Sequence, residues 1–242
     1  MESLRKNADP EDMPVVCKTC EARHNGICRA MTPQQLGELS RHSTRKAIRP
    51  GAEVQGQGER VVSYANILKG VVKLTKVMAD GRQQIVGLQF APDFIGHPFS
   101  TESSLAAEAA TDAEVCLMSK SALDRLVAST PGIERYLHTQ AQVELEEARE
   151  WMLTLGRKTA REKVASLLYL ISTHCDPGSD HALQFELPLT RQEIGDFLGL
   201  TIETVSRQMT KLRQEKLIEV ENNRQITILD IRRVQRAAGL EA

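Results

Sequence analysis

"LTRQEIGDFLGLTIETVSRQMTKLRQEKLIEV", residues 189–220, is the stretch whose reading decides the fold. Thr190 and Glu193 stand three apart at the head of an apolar-periodic run. At that spacing a threonine hydroxyl and a glutamate carboxylate cap each other's backbone N–H groups and open a helix. Ile194, Phe197 and Leu198 then share one helical face, and Gly199 can take the left-handed conformation that closes a helix. Thr201 can cap a second helix, in which Val205, Met209 and Leu212 face inward. Helix, short turn, helix is the helix-turn-helix arrangement. Downstream, "LIEV-ENNR-QITIL" reads as a two-stranded hairpin, the wing of a winged helix.

The outer face of the second helix carries Glu203, Ser206 and Arg207 near its N-terminus, at i, i+3 and i+4. Those positions meet base edges when such a helix enters a major groove. Arg207 can chelate guanine O6 and N7; Glu203 can accept from cytosine N4 and orient Arg207 one turn away. Lys211, Arg213 and Lys216 can meet phosphates, as can the two capping residues Thr190 and Thr201. The plainer alternative is an ordinary helical hairpin with a surface Glu–Arg pair. The capping box, glycine turn, second cap and wing standing in register favour DNA.

Upstream the pattern changes twice. From about 46 to 119, glycines punctuate short β-rich segments, as expected for a small antiparallel roll or barrel. In "QQIVGLQF" after the Asp80-Gly81 turn, Gln83, Ile85, Gly87 and Gln89 point one way and Gln84, Val86, Leu88 and Phe90 the other, a half-buried strand. Residues 119–129 read as a short helix and about 131–156 as a long one, where Ile133, Leu137, Ala141, Leu145, Ala148, Met152 and Leu155 form a narrow apolar stripe. That stripe runs along about 35–40 Å of helix. Its narrowness on a polar helix suits a contact between two copies; the alternative is a helix lying on its own domain's core. A further amphipathic helix carries Val164, Leu167, Leu168 and Ile171, "HCDPGSDHA" reads as a loop, and "LQFEL" as a strand.

Length, composition and charge narrow the function classes. The 242 residues are 41% hydrophobic and 26% charged with a net charge of −1, an ordinary globular composition that leaves nucleic acid to a local basic patch. No apolar run approaches the length of a membrane span, and "MESLRKNADPEDMP", polar and expected to be disordered, lacks a secretory h-region; the expected location is the cytoplasm. No phosphate-cradling glycine loop, HExxH or nucleophile-and-base motif argues for an enzyme.

The other informative stretch is "VVCKTCEARHNGICRA", residues 15–30, with Cys17, Cys20 and Cys28 in a C-x2-C-x7-C spacing. In a reducing compartment clustered thiols bind metal or do redox chemistry rather than form structural disulfides. Spacing alone leaves iron–sulfur, zinc and a thiol–disulfide pair open.

With these parts in this order, the chain resembles the cyclic-AMP receptor/FNR superfamily of bacterial transcription regulators over nearly everything from residue 15 onward. "LGLTIETVSRQ" is similar to the recognition segment of the FNR branch, whose E-x2-S-R signature matches Glu203, Ser206 and Arg207. FNR-type proteins pair an N-terminal cysteine cluster with one cysteine of the β-roll; the match here is Cys116 in "EVCLM", and the cysteine spacing is similar to that of alphaproteobacterial members. The resemblance implies an α+β fold: an N-terminal antiparallel, jelly-roll-like β-roll, a long dimerisation helix and a C-terminal winged helix-turn-helix. The corresponding divisions are 1–30, 31–130, 131–158 and 159–242. It implies one [4Fe-4S] cluster per subunit on Cys17, Cys20, Cys28 and Cys116, with zinc or a thiol–disulfide sensor as the alternative. It implies an oxygen-responsive activator that dimerises while the cluster is intact, binds a TTGAT-N4-ATCAA-like double-stranded site and works with RNA polymerase. Cys175 matches nothing in the family pattern. Cyclic-AMP receptors hold the nucleotide phosphate with an Arg-Ser pair; here "DFIGHPFSTESSLAAEAATDAEVC" has His97-Pro98 after Gly96 and no Arg-Ser downstream, so no cyclic nucleotide is expected.

Overall fold

Short alternating segments broken by glycine form strands and the longer apolar-periodic segments form helices. A computed structural model describes residues 14–20, 22–175 and 183–240. The N-terminal segment holds α1 (Val15–Lys18), α2 (Ala22–Asn25), a 3-10 turn (Ile27–Ala30) and α3 (Pro33–Ser40). Thr32 caps α3 in a full capping box with Gln35, and Pro33 occupies its first turn.

Eight strands follow: β1 (Ser43–Ile48), β2 (Glu53–Gln55), β3 (Ser63–Lys69), β4 (Val71–Val77), β5 (Gln83–Phe90), β6 (Phe94–Ile95), β7 (Ala106–Ala109) and β8 (Ala113–Ser119). They make two four-stranded sheets, β1-β8-β3-β6 and β2-β7-β4-β5. Ala65, Ile67, Val72, Ala107, Ala109 and Val115 form the core of this roll. In β5 the even alternation breaks: Ile85 is buried and Val86 exposed, whereas Leu88 and Phe90 are buried as expected. The apolar face changes phase at Gly87.

Two helices continue the chain, α4 (Lys120–Ser129) and α5 (Pro131–Arg157). The first compact unit gathers the described residues through Gly81 and from Gly87 to Val143; the second takes Arg82–Val86 and everything described from Glu144 on. The long helix α5 is divided between them. Ile133 is fully buried, but Leu145 and Met152 of the expected stripe are 50% and 72% exposed. From Ala141 to Met152 the stripe is exposed among the described residues, whereas Leu155 in the last turn is half-buried.

In the second unit α6 (Ala160–Cys175) buries Val164, Leu167, Leu168 and Ile171 as its periodicity predicts. His174 and Cys175, read above as loop, belong to the last turn of α6; the His174 ring nitrogen lies 2.8 Å from the Leu170 carbonyl and so serves one of the helix-end acceptors. The rest of the "HCDPGSDHA" stretch up to Ala182 lies outside the described residues, as do the side chain of Cys175 and the first thirteen residues. Then come β9 (Leu183–Glu186), α7 (Arg191–Leu198), α8 (Ile202–Gln214), β10 (Ile218–Glu221), β11 (Gln225–Ile228) and α9 (Ile231–Ala237). The wing is three-stranded, β10-β11-β9, and Asn222 and Asn223 take positive φ at its tip. The sequence reading missed α9, although Asp230 caps it by accepting from Arg233 N at 3.1 Å. A helix of only two turns carries too little periodicity to announce itself.

The turn between α7 and α8 is as tight as the sequence implies. Gly199 adopts φ 64°, and a Cβ on Gly195 would lie 2.5 Å from the Leu200 carbonyl oxygen. Gly195→Ala is therefore expected to destabilise this unit by ~1–3 kcal/mol, since backbone rather than a flexible side chain must yield. Thermal melts of the variant, with a retained melting point counting against the tight approach, check this.

Candidate nucleic-acid interface and cysteine site

The two helices of the reading motif are held by the caps that the sequence predicts. Thr190 Oγ1 accepts from Glu193 N at 3.2 Å and Glu193 Oε2 accepts from Thr190 N at 2.8 Å. Thr201 Oγ1 accepts from Thr204 N at 3.3 Å. Val205, Met209 and Leu212 are buried, which turns Glu203, Ser206 and Arg207 outward, all exposed, with Lys211 and Arg213 exposed further along. The expected Glu203–Arg207 pairing is corrected: Arg207 Nη2 donates to Thr204 Oγ1 at 3.4 Å, and hydrogen bonds from Glu203's own backbone N–H and from Thr201 hold the Glu203 carboxyl below its ordinary range. The helix N-terminus, with its unpaired N–H groups, outcompetes a guanidinium for that carboxylate.

One cation escaped the sequence reading. Arg191, the first residue of α7, is half-buried, its buried Nη1 lacks a hydrogen-bond partner among the described residues, and burial pulls the guanidinium below its usual range. A cation at a helix N-terminus opposes the macrodipole. The signal was visible only as an arginine directly after a cap.

The cysteine site is built by the pleat of β8. Ala113 and Val115 point into the roll core, so Cys116 and Met118 point to the opposite face of the sheet. That face is covered by the N-terminal segment: Ile27, Met31, Leu36 and Leu39 pack with Tyr64, Met118 and Leu123, and Cys28 and Cys116 lie against this cluster. A Cβ on Gly26 would come within 3.0 Å of the Pro92 carbonyl oxygen and 3.1 Å of the Asn66 side-chain amide, so glycine permits the close seating of the segment. Asn66 in turn faces Cys116 across the β3–β8 ladder.

Cys17, Cys20, Cys28 and Cys116 are all free thiols and all part-buried. Burial pushes Cys28 up to about 12, with further upward pushes from Cys116, Cys17 and Cys20. Burial likewise pushes Cys116 up to about 11, reinforced by Cys17 and Cys20, while Arg45 and a Ser43 hydroxyl act the other way. Cys17 is raised by burial and by Cys20. The four sulfurs thus lie near enough to feel one another's charge. Among the described residues no three Cys, His, Asp or Glu side chains are drawn to the spacing of a single metal ion.

The segment also touches the head of α5. Tyr136 Oη donates to the Asn25 carbonyl at 3.3 Å, Gln35 Nε2 donates to Thr130 Oγ1 at 2.7 Å, and Tyr136 and Leu137 pack against the cluster of Ile27 and Ile133.

This architecture has close relatives. A family model for a Crp-like helix-turn-helix domain matches residues 162–237, and one for a cyclic nucleotide-binding domain matches residues 45–130. The chain is 57% identical over 236 residues to a probable transcriptional activator of Rhizobium leguminosarum bv. viciae, with 98% of each chain covered. It is 36% identical over 228 residues to transcriptional activator protein FnrL of Cereibacter sphaeroides, with 92% of each covered. The chain belongs to the CRP/FNR family of transcription regulators. Within that family the structure of FixK2 from Bradyrhizobium japonicum matches with a TM-score of 0.74 at 32% identity, over 83% of this chain and 99% of that one. The α+β fold with its antiparallel roll, long helix and helix-turn-helix is the family's, and the chain is a DNA-binding regulator rather than an enzyme. No helix among the described residues is long and apolar enough to cross a membrane.

Proposed function

We propose that this regulator senses oxygen through a [4Fe-4S] cluster held by Cys17, Cys20, Cys28 and Cys116, and activates transcription as a homodimer on a TTGAT-N4-ATCAA-like site together with RNA polymerase. One observation carries the reading: the strand alternation that buries Val115 in the roll turns Cys116 toward the segment bearing the other three thiols. Four soft, free sulfurs, two in apolar surroundings, suit such a cluster. Thiols that raise one another are costly to ionise together, and a cationic inorganic core relieves that cost.

When bound, the cluster supplies an oxygen-labile crosslink between segment and roll. The chain does the rest. Cys17, Cys20 and Cys28 would hold their segment against β8 through the group they share with Cys116; Tyr136 ties Asn25 to the first turns of α5; and the exposed stripe of Leu145, Ala148 and Met152 would seat against a second copy. Two recognition helices then stand one duplex turn apart, about 34 Å, on a two-fold site. Each presents Glu203, Ser206 and Arg207 to base edges, while Lys211, Arg213, the Thr190 and Thr201 caps, and Arg191 meet phosphates. Loss of the cluster loosens the segment and shifts the population toward monomer.

The roll does not take a cyclic nucleotide in this reading. Gly96 is followed by His97-Pro98, and no Arg-Ser pair stands downstream to meet a nucleotide phosphate.

Anaerobic purification with iron, sulfide and zinc analysis tests the proposal: four iron and four sulfide per chain, lost in air, are expected, and stoichiometric zinc overturns it. Tyr136→Phe tests the transmission. It removes one hydrogen bond, worth about 0.5–1.5 kcal/mol, so the cluster absorbance should persist while the anaerobic dimer dissociates up to about tenfold more readily. Unchanged dimer affinity in sedimentation removes Tyr136 from the path.

A further inference from the structure

We propose that Arg45 and Glu114, flanking Cys116 on the outer face of the roll, set the electrostatic potential at the cysteine site and thereby the reduction potential of the group it holds. This rests on the reading that the four thiols carry a cluster. In the β1–β8 ladder Arg45 stands directly opposite Cys116. Directly opposed residues of an antiparallel pair project from the same face with Cβ atoms about 4.5–5.5 Å apart. Glu114, two residues before Cys116 on the same strand, shares that face, and its Oε1 lies 3.7 Å from Arg45 Nη1. The neighbour on the other side of Cys116 is neutral: Asn66, 1% exposed, whose amide turns its nitrogen to the Pro92 and Asp93 carbonyls. Arg45 and Glu114 are therefore the charged neighbours of Cys116 in the sheet.

A guanidinium and a carboxylate carry opposite charges, so from these positions their fields at Cys116 have opposite sign. Four thiolates on a [4Fe-4S]2+ core leave a net charge of −2, and one-electron reduction makes it −3. A nearby cation stabilises the more negative state and an anion opposes it. The partial exposure of the pair, 37% for Arg45 and 43% for Glu114, weakens both fields without cancelling them. Charge near a cluster is one of the recognised determinants of its potential. The side chains make no bond to iron; they act as positioning charges.

The test compares the full-length protein with Arg45→Gln, Arg45→Lys and Glu114→Gln, all isolated anaerobically. One electron passes from dithionite to the cluster, no bond forms or breaks, and the reduced fraction is read by electron paramagnetic resonance against applied potential. Arg45→Gln should lower, and Glu114→Gln raise, the reduced-to-oxidised ratio at fixed potential by about three- to tenfold. Arg45→Lys should stay near the wild type. A disturbance of packing would move both neutral variants the same way. If they shift together, or neither shifts while iron and sulfide remain at the wild-type count, the proposal is overturned. If Arg45→Gln loads poorly, the sign of the Glu114→Gln shift alone decides. A wild-type protein without iron and sulfide sinks the cluster reading instead, a different result on the same samples.

Discussion

Cys116→Ser abolishes the anaerobic cluster, the dimer and selective DNA binding together; that is the largest effect expected of any single substitution in this chain. Serine preserves the size and the β8 register, so the roll should keep its fold. Cys116 is only partly buried and Ser43 already stands beside it, able to accept or donate to a hydroxyl. What is lost is the sulfur joining two parts of the chain that are far apart in sequence. Cys17, Cys20 and Cys28 all lie on one short segment, and none of them alone ties that segment to the sheet. Without the fourth ligand, iron and sulfide should fall below the wild-type count and the brown absorbance should disappear. Operator affinity should drop by roughly a thousandfold or more, toward the nonspecific level, because a monomer reads a single half-site. Wild-type colour, dimer and operator affinity under nitrogen would end the four-thiol assignment. Circular dichroism of the variant guards against mistaking misfolding for loss of the ligand.

Arg207→Ala should have the second largest effect, confined to DNA. The side chain is exposed, and its hydrogen bond, a long one to Thr204, belongs to its own helix. Folding and dimerisation therefore owe it little. A bidentate contact to guanine is worth about 1–3 kcal/mol. Two half-sites double it, so affinity for the palindrome should fall by about 30-fold to about 10⁴-fold with little change on random DNA. Arg191→Gln supplies the contrast. A phosphate contact weakens binding to all sequences alike and lowers the salt slope by about one per protomer. Equal loss on specific and random DNA for Arg207→Ala would move that arginine from the base-reading set to the phosphate set.

Much of this was legible in the primary structure because the devices are local. A capping box, a glycine at a helix end and a second cap specify backbone conformation within four residues, and Thr190, Gly199 and Thr201 behave as such signals require. The stripe on α5 is equally local, since a helix repeats every 3.6 residues whatever surrounds it. Where local rules compete, the reading slipped. Periodicity alone could not show that the helix N-terminus would claim Glu203 before Arg207 could, nor that β5 would change phase at Gly87.

Residue identity and spacing by themselves determined the helix-turn-helix, its outward triad, the long helix and the presence of three clustered thiols. Only the tertiary structure decided which sheet face Cys116 occupies, which residues stand beside it, and that Tyr136 reaches back to Asn25 across more than a hundred residues. The reason is range. Backbone propensity and capping act over one or two turns, whereas the neighbours of a strand residue depend on which distant strands pair with it and in what register.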